Sequence, residues 1–347
     1  MKHFDYSFLE NGLLPAQFLN IASAISELKV MAAERKNTCP NIFTSLESIA
    51  RVQSVKGSNE IEGIVTSEER LAAIVNQSGA PLNHNEMEIA GYRDALNAVH
   101  QAFDTLDARE ADILGLHRTL LSYTPKGGGN YKTVDNVIVE IDVSGRRKVR
   151  FAPTLAKETA ETMEQLILAF LEARSNTNIN GLLLIPCFIL DFLCVHPFSD
   201  GNGRMSRLLS LLLLYKNGFD VGKYISFEEQ INRSKYEYYA ALQLSSTGWH
   251  TSENSYFPFL GNFLQTLLRC YKELDKRFTV VQGKRVTKQN RIEATVLNSL
   301  LPISKKEIAH VLPDISPTTI EAVLGSMIKS GIVKKIGSAR NTKYLRQ

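Results

Sequence analysis

Cysteine is scarce in this chain: four residues among 347, none of them in a C-x-x-C pair. Cys39, Cys187, Cys194 and Cys270 therefore offer neither zinc-ligand spacing nor a disulfide framework, and read as buried thiols in a reducing compartment. Long hydrophobic runs are missing as well. The longest, residues 182–195, is broken by Pro186 and Asp191 and is shorter than the roughly 20 residues a membrane span needs. The first residues, Met1-Lys2-His3-Phe4-Asp5, carry no apolar signal segment. These absences exclude a disulfide-stapled domain, a zinc ribbon and a transmembrane helix. They give the expectation of a soluble, cytoplasmic protein without a membrane partner.

Net charge is small, +4, but unevenly spread. Residues 284–347 hold 12 Lys plus Arg against 4 Asp plus Glu, and the rest of the chain 28 against 32. A basic tail on an acidic body argues for a separate C-terminal module. A length of 347 residues is enough for two or three domains, each with its own core.

The informative stretch is His196-Pro197-Phe198-Ser199-Asp200-Gly201-Asn202-Gly203-Arg204-Met205-Ser206-Arg207. Apolar residues precede it (181–195) and follow it (205–215), so it reads as the connection between two buried helices, with Gly201-Asn202-Gly203 opening the second. Amides of a Gly-rich turn at a helix N-terminus are unpaired and point outward, which makes an anion site. Arg204 and Arg207 lie one turn apart, so both can face one ligand, and guanidinium forks suit phosphate oxygens. Asp200 is placed to hold Mg²⁺, an ion that takes one or two carboxylates plus phosphate oxygens and waters. Across the loop, a neutral His196 can take a proton from an incoming hydroxyl.

The stretch resembles the signature of the Fic family, H-x-F-x-[DE]-G-N-G-R-x-x-R, at every fixed position. A second motif, Ser58-Asn59-Glu60-Ile61-Glu62-Gly63, reads by itself as a short polar helix after a break at residues 56–58, following a helix over 46–55. Beside the first motif it resembles the family's inhibitory pattern, [ST]-x-x-x-E-[GN], matched by Ser58, Glu62 and Gly63. Thr66-Ser67-Glu68-Glu69 has the form of a capping box for the next helix.

Helical periodicity covers most of the first 123 residues. His117 is a lone histidine there, with a core or helix-end role rather than a catalytic one. After Pro125-Lys126-Gly127-Gly128-Gly129 the pattern changes to two β-rich runs, 134–142 and 146–151, around Ser144-Gly145. This hairpin signal resembles the Fic flap, whose open edge pairs with a target segment by strand addition, and Asn136, Val137 and Ile138 would form that edge. Lys132 stands where the family usually has Arg, a departure at the flap's anchoring position. Further on, Tyr238-Tyr239 resembles the family's Y-Y-x-x-L helix, with Tyr239 favoured as the ring beside the adenine. The resemblance runs from about residue 58 to residue 270. In the tail, residues 290–301, 305–311 and 316–330 read as helices and 332–336 and 342–345 as a hairpin, a winged-helix pattern. Its basic residues lie mainly in the wing (Lys334, Lys335, Arg340, Lys343). The composition fits DNA binding and a protein-docking or homodimer-forming role alike.

The expected fold is mainly α: a helical N-terminal region (1–90) carrying the inhibitory segment (58–63), a Fic-fold helical core with a β-hairpin flap (91–277), and a C-terminal winged helix (284–347). The resemblance implies a protein adenylyltransferase that moves AMP from MgATP to a Ser, Thr or Tyr hydroxyl of another protein or of itself. It implies His196 as base, Asp200 as the Mg²⁺ ligand, Gly201, Asn202, Gly203, Arg204, Met205, Ser206, Arg207 and Tyr239 around ATP, and Glu62 with Ser58 as the inhibitory pair reaching Arg207. Three alternatives stand beside it: removal of AMP at the same site, a nucleotide-sensing DNA-binding regulator, and a phosphotransferase of the toxin type. The last carries A-N-K-R where Gly201-Asn202-Gly203-Arg204 stands here, and is set aside.

Overall fold

The chain's longest apolar run becomes its central helix. In the computed structural model, which describes residues 2–141, 147–282, 287–297, 299, 302–337 and 342–346, Gly181–Val195 is a helix whose residues from Leu182 onward are all buried. Asn180 caps it by accepting from the Leu182 amide at 2.9 Å. Apolar residues all round one helix mean that other helices must surround it. Here they are α1 (Phe8–Asn11), α2 (Ala16–Thr38), α3 (Pro40–Ile61), α4 (Glu68–Val75), α5 (His84–Ala102), α6 (Glu110–Leu120) and α7 (Thr159–Ser175) before the central α8. Following it come α9 (Asn202–Lys216), α10 (Phe227–Arg233), α11 (Lys235–Ser246) and α12 (Phe257–Gln282). A short antiparallel hairpin, β1 (Ile138–Ile141) with β2 (Arg147–Phe151), interrupts the helices and carries an irregularity between Ile138 and Val139. Its turn, Ser144-Gly145, lies outside the described residues.

The break expected at residues 56–58 does not occur. Helix α3 runs unbroken from Pro40 to Ile61, because Gly57 is a contact glycine instead of a breaker. A Cβ there would stand 3.0 Å from both Cα and N of Glu229, so the missing side chain lets α3 lie directly on α10. Residues 58–61 are thus the last turn of a long helix, with Glu62 as C-cap and Gly63 at φ +78° just beyond it, the left-handed stop that glycine favours. The expected capping box at 66–69 is also shifted. Ser67 is the N-cap of α4, accepting from the Arg70 amide, while Thr66 donates to Glu86 on α5.

Buried apolar side chains fall into two clusters. One runs from Phe4 to Phe278, so the N-terminal helices share a core with α5–α12. Helix α12 continues past residue 277, and Phe278 stacks on Phe43 at 5.2 Å, so a boundary at 277 would cut a packed helix. The second cluster belongs to the tail: Ile292, Ile308, Ile320, Leu324 and Val333 among others. It is built from α13 (Lys288–Leu297), β3 (Ile303–Ser304), α14 (Lys305–Val311), α15 (Pro317–Lys329), β4 (Val333–Ile336) and β5 (Lys343–Arg346), with strand order β3-β5-β4. Ser304 and Glu307 form the expected capping box, and Ser316 with Pro317 starts α15. The short β3 was not foreseen. Wing residue Arg340 lies outside the described residues. Among those described, no helix is long and apolar enough to cross a membrane.

Candidate active site

His196 ends α8 in the left-handed conformation, φ +52° and ψ +59°, which turns the chain sharply into the loop. Six residues later α9 begins behind Gly201, itself at φ +80°. The loop between is tied from within. Asn202 accepts from the Phe198 amide at 2.9 Å and donates back to its carbonyl at 2.8 Å. Phe198 is fully buried beneath the loop and stacks on His117 with ring centroids 3.6 Å apart. His117, in turn, bonds the Asp200 carbonyl through Nε2 at 3.1 Å and accepts from the Gly129 amide through Nδ1 at 2.9 Å. That pairing fixes its tautomer, and burial lowers its pKa to about 4. The lone histidine set aside as a core residue is therefore the post under the loop.

The two arginines do not share one face of the site. Arg204 turns inward, where its guanidinium is 1 % exposed and pairs with Glu88 of α5 at 2.7 Å, with Asp200 more distant at 3.4 Å. Arg207 is 2 % exposed and reaches α3: Nε donates to Ser58 Oγ at 2.8 Å, and Nη2 to the Ser58 carbonyl at 2.9 Å and to Glu62 Oε1 at 2.8 Å. Glu62 remains about one third exposed (32 %). Its Oε1 lies over the first turn of α9, where a Cβ on Gly203 would come within 2.2 Å of it. A carboxylate thus rests on the anion-favouring end of a helix and on the arginine fork together. Asp200 is 52 % exposed, and its Oδ1 accepts from the Gly201 amide.

Three residues expected around the nucleotide are engaged within the protein. The Met205 side chain is buried in the main core, and its amide already donates to the Gly201 carbonyl at 2.8 Å. Ser206 is buried and its hydroxyl donates to the Gly203 carbonyl at 2.8 Å. Asn202, likewise expected at the nucleotide, has committed its side chain to Phe198. What the turn leaves for an anion is the backbone at the start of α9.

Burial lowers the pKa of His196 to about 4, the Lys132 charge adding to the effect, so the imidazole is neutral at pH 7. Lys132 fills the anchoring position without Arg: its ammonium donates to the Val195 and His196 carbonyls at 3.2 and 2.9 Å and to Asn136 Oδ1 at 3.0 Å. Burial lowers its own pKa to about 8. Asn136, expected on the docking edge, also braces the loop, donating to the Phe198 carbonyl at 3.3 Å. Val137 is exposed and Ile138 half-buried at the start of the hairpin, with Val139 exposed beyond them. On α11, Tyr238 is buried in the core and Tyr239 half-buried, with the flap's Arg150 over the Tyr239 ring at 5.3 Å.

Sequence reasoning missed Glu88, the bracing roles of His117 and Lys132, and a buried polar cluster of Tyr92, Ser54, Ser226 and Glu228. Among the described residues no group of three or more His, Cys, Asp and Glu could hold a metal ion.

Comparison with known proteins gives a consistent result. Residues 105–214 match the model of the Fic/DOC family. A Fido domain-containing protein of Dictyostelium discoideum is 31 % identical over 111 residues, covering 32 % of this chain and 71 % of that protein. The protein adenylyltransferase fic-1 of Caenorhabditis elegans is 28 % identical over 138 residues, 40 % of this chain and 24 % of its own length. Among solved structures, a Fic family protein from Desulfovibrio desulfuricans G20 superposes with a TM-score of 0.62 at 20 % identity, covering 96 % of this chain and 97 % of that one. Fic-1 of C. elegans superposes with a TM-score of 0.56 at 19 % identity, over 77 % and 74 % of the two chains. The family-model match and the relative that this chain covers over 71 % of its length at 31 % identity together show that the chain belongs to the Fic/DOC family.

Proposed function

We propose that this protein is an adenylyltransferase that moves AMP from ATP to a hydroxyl of a protein, and that Glu62 holds it in an inhibited state. The observation that carries this reading is the seat of the Glu62 carboxylate, on Arg207 and above Gly203. Those are the groups a terminal phosphate would need. The name of the fic-1 relative, a protein adenylyltransferase, supports the same reaction.

In this reading His196, neutral at working pH, takes the proton from a Ser, Thr or Tyr hydroxyl. The hydroxyl oxygen bonds to the α-phosphorus, the bond to the bridging oxygen breaks, and pyrophosphate leaves. General-base assistance of this kind contributes about 10²–10⁴-fold. The amides at the start of α9 stabilise charge on the phosphates, and Arg207, once free of Glu62, orients the terminal one. Asp200 fits a magnesium site: it is half exposed beside the anion-binding turn, and one carboxylate is what Mg²⁺ asks of a protein when phosphates supply other ligands. Bound there, the ion would neutralise phosphate charge. Tyr239 would flank the base, and the edge of β1 that no described strand pairs, beside Val137 and Ile138, would receive a target segment. The tail, read as a winged helix, would bind DNA or dock a protein, a second copy included.

A second reading is hydrolytic removal of AMP at the same site. Its support is that Glu62 is partly solvated and near enough to His196 for its charge to oppose part of the burial-driven fall in that pKa, a position from which it would hold a water. One experiment separates the two: incubate the protein and its Glu62→Gly variant with labelled ATP, Mg²⁺ and lysate, and identify labelled sites by mass spectrometry. No labelling by either protein would reject transfer. Loss of label from a pre-modified substrate, with wild type only, would favour removal.

A further inference from the structure

The hairpin departs from regular pairing at one residue. Ile138 pairs with Phe151 and Val139 with Val149, so Arg150 is the extra residue of β2. A bulge of this kind breaks the alternation of side chains and re-aims the one it frees. The burial pattern agrees: Val149 is exposed, whereas Arg150 and Phe151, neighbours in the chain, are both half-buried. Phe151 stacks on His250 with ring centroids 5.4 Å apart, which fixes the root of the hairpin beyond the end of α11. Arg150 is turned onto α11 itself, its guanidinium carbon 5.3 Å from the centre of the Tyr239 ring. Its Nε is buried and, among the described residues, meets no hydrogen-bond acceptor, a costly state for a donor.

The ring that Arg150 covers stands beside the phosphate position. One turn before Tyr239 on α11, the Lys235 ammonium lies 6.0 Å from the ring centre and donates to the Ile61 carbonyl. Ile61 precedes Glu62, whose carboxylate accepts from Arg207 at 2.8 Å and rests over Gly203. The same short run of residues thus borders the proposed phosphate position and Tyr239. A guanidinium and an aromatic ring are each good partners for the face of a base. Their present separation does not admit one between them, because two stacking gaps need about 3.5 Å each against 5.3 Å in all. For a base to stack on the covered face of Tyr239, the arginine must lift, and its long unbranched stem allows it to.

We propose that Arg150 is a base-binding residue of the nucleotide site: the base enters between the Tyr239 ring and the Arg150 guanidinium, so that α11 and the flap hold it from opposite sides. This rests on the reading of Tyr239 as the ring beside the base. The flap then serves the nucleotide as well as the target segment.

The test uses the full chain in the Glu62→Gly background, where the phosphate position is free, and compares it with the added changes Arg150→Ala and Arg150→Lys by titration calorimetry. The probes are MgATP, MgADP and magnesium tripolyphosphate, which has the phosphates and no base. Arg150→Ala should weaken ATP and ADP alike by about twofold to thirtyfold, the span of one cation–π contact. It should leave tripolyphosphate binding unchanged, which also shows that the site is intact. Arg150→Lys keeps the charge without the flat fork and should recover part of the loss. Unchanged nucleotide affinity in Arg150→Ala overturns the proposal, and so does a gain, since the arginine would then only cover the ring. An equal loss for tripolyphosphate overturns it too, because the arginine would be acting on phosphate or on the fold. If the Glu62→Gly parent binds ATP no more tightly than tripolyphosphate, no base is held and the reading of Tyr239 fails first, taking Arg150 with it. A preference for ATP that is lost in Tyr239→Leu but kept in Arg150→Ala rejects the arginine alone.

Discussion

Arg207 is a nearly fully buried cation whose anionic partner among the described residues, Glu62, is one third exposed. Such a pair is asymmetric: the carboxylate can leave for water at modest cost, while the arginine cannot follow it. Removing the carboxylate leaves a buried charge uncompensated, so Glu62→Gly should melt lower than wild type without nucleotide and recover with MgATP through binding linkage. If Glu62 occupies the fork nine-tenths of the time or more, freeing it raises the apparent activity about 10-fold to 100-fold. Auto-labelling at saturating MgATP measures this, and equal labelling of wild type and Glu62→Gly would reject inhibition by this residue. Arg207→Ala should be inactive in both backgrounds. For His196 the sign follows from its environment. Burial holds the imidazole neutral down to about pH 4, so kcat/KM of the Glu62→Gly protein, which reports the free enzyme, should stay flat from pH 8 towards pH 5 and fall below that. A fall centred near pH 6.5 would place the base in water or assign it to another group. His196→Ala should lose transfer and keep ATP binding.

At the scale of elements, α3 is the part whose position decides the state of the site. Its contact with α10 depends on Gly57, where a methyl group would meet the backbone of Glu229 at 3.0 Å. Backbone cannot yield as a flexible side chain does, so Gly57→Ala should push the helices apart and destabilise the fold by about 1–3 kcal/mol. Because Glu62 lies five residues along the same helix, the displacement should also loosen its grip on Arg207. Labelling by Gly57→Ala should therefore rise above wild type, while the same change in the Glu62→Gly background should give no further rise. A rise in both would mean that Gly57 acts on something other than the inhibitory contact. What the sequence made legible here was what lies close along the chain: the loop between two apolar helices, the hairpin, the capping box at Ser304 and the spacing of Ser58 and Glu62. It misread Gly57 because a glycine inside a helical pattern carries the same letter whether it breaks the helix or admits a neighbour. The pairing of Arg204 with Glu88, and of Glu228 with Tyr92, 136 positions away in sequence, leaves no local trace. Such partners are chosen by which helices the core brings together.

Over the whole molecule, two hydrophobic clusters divide the work. Every residue named in the proposed chemistry, from Ser58 to Tyr239, belongs to the body whose core runs from Phe4 to Phe278, and the tail closes on its own apolar residues. The tail also carries the basic excess, so its surface suits a different partner from the rest of the chain. A chain ending at Gln282 keeps α12 whole and retains Phe278 against Phe43, whereas one ending at Arg277 would strip an aromatic from the core. The longer version should melt cooperatively and, with Glu62→Gly, label itself at a rate within about twofold of the full chain. The shorter one should lose several degrees of melting temperature, since deleting a buried aromatic costs about 3–5 kcal/mol. Should the Gln282 version fold yet fail to label, the tail contributes to the site after all. Retained labelling with lost association, read by sedimentation or by duplex DNA titration of both chains at moderate salt, would instead assign the tail to partner choice.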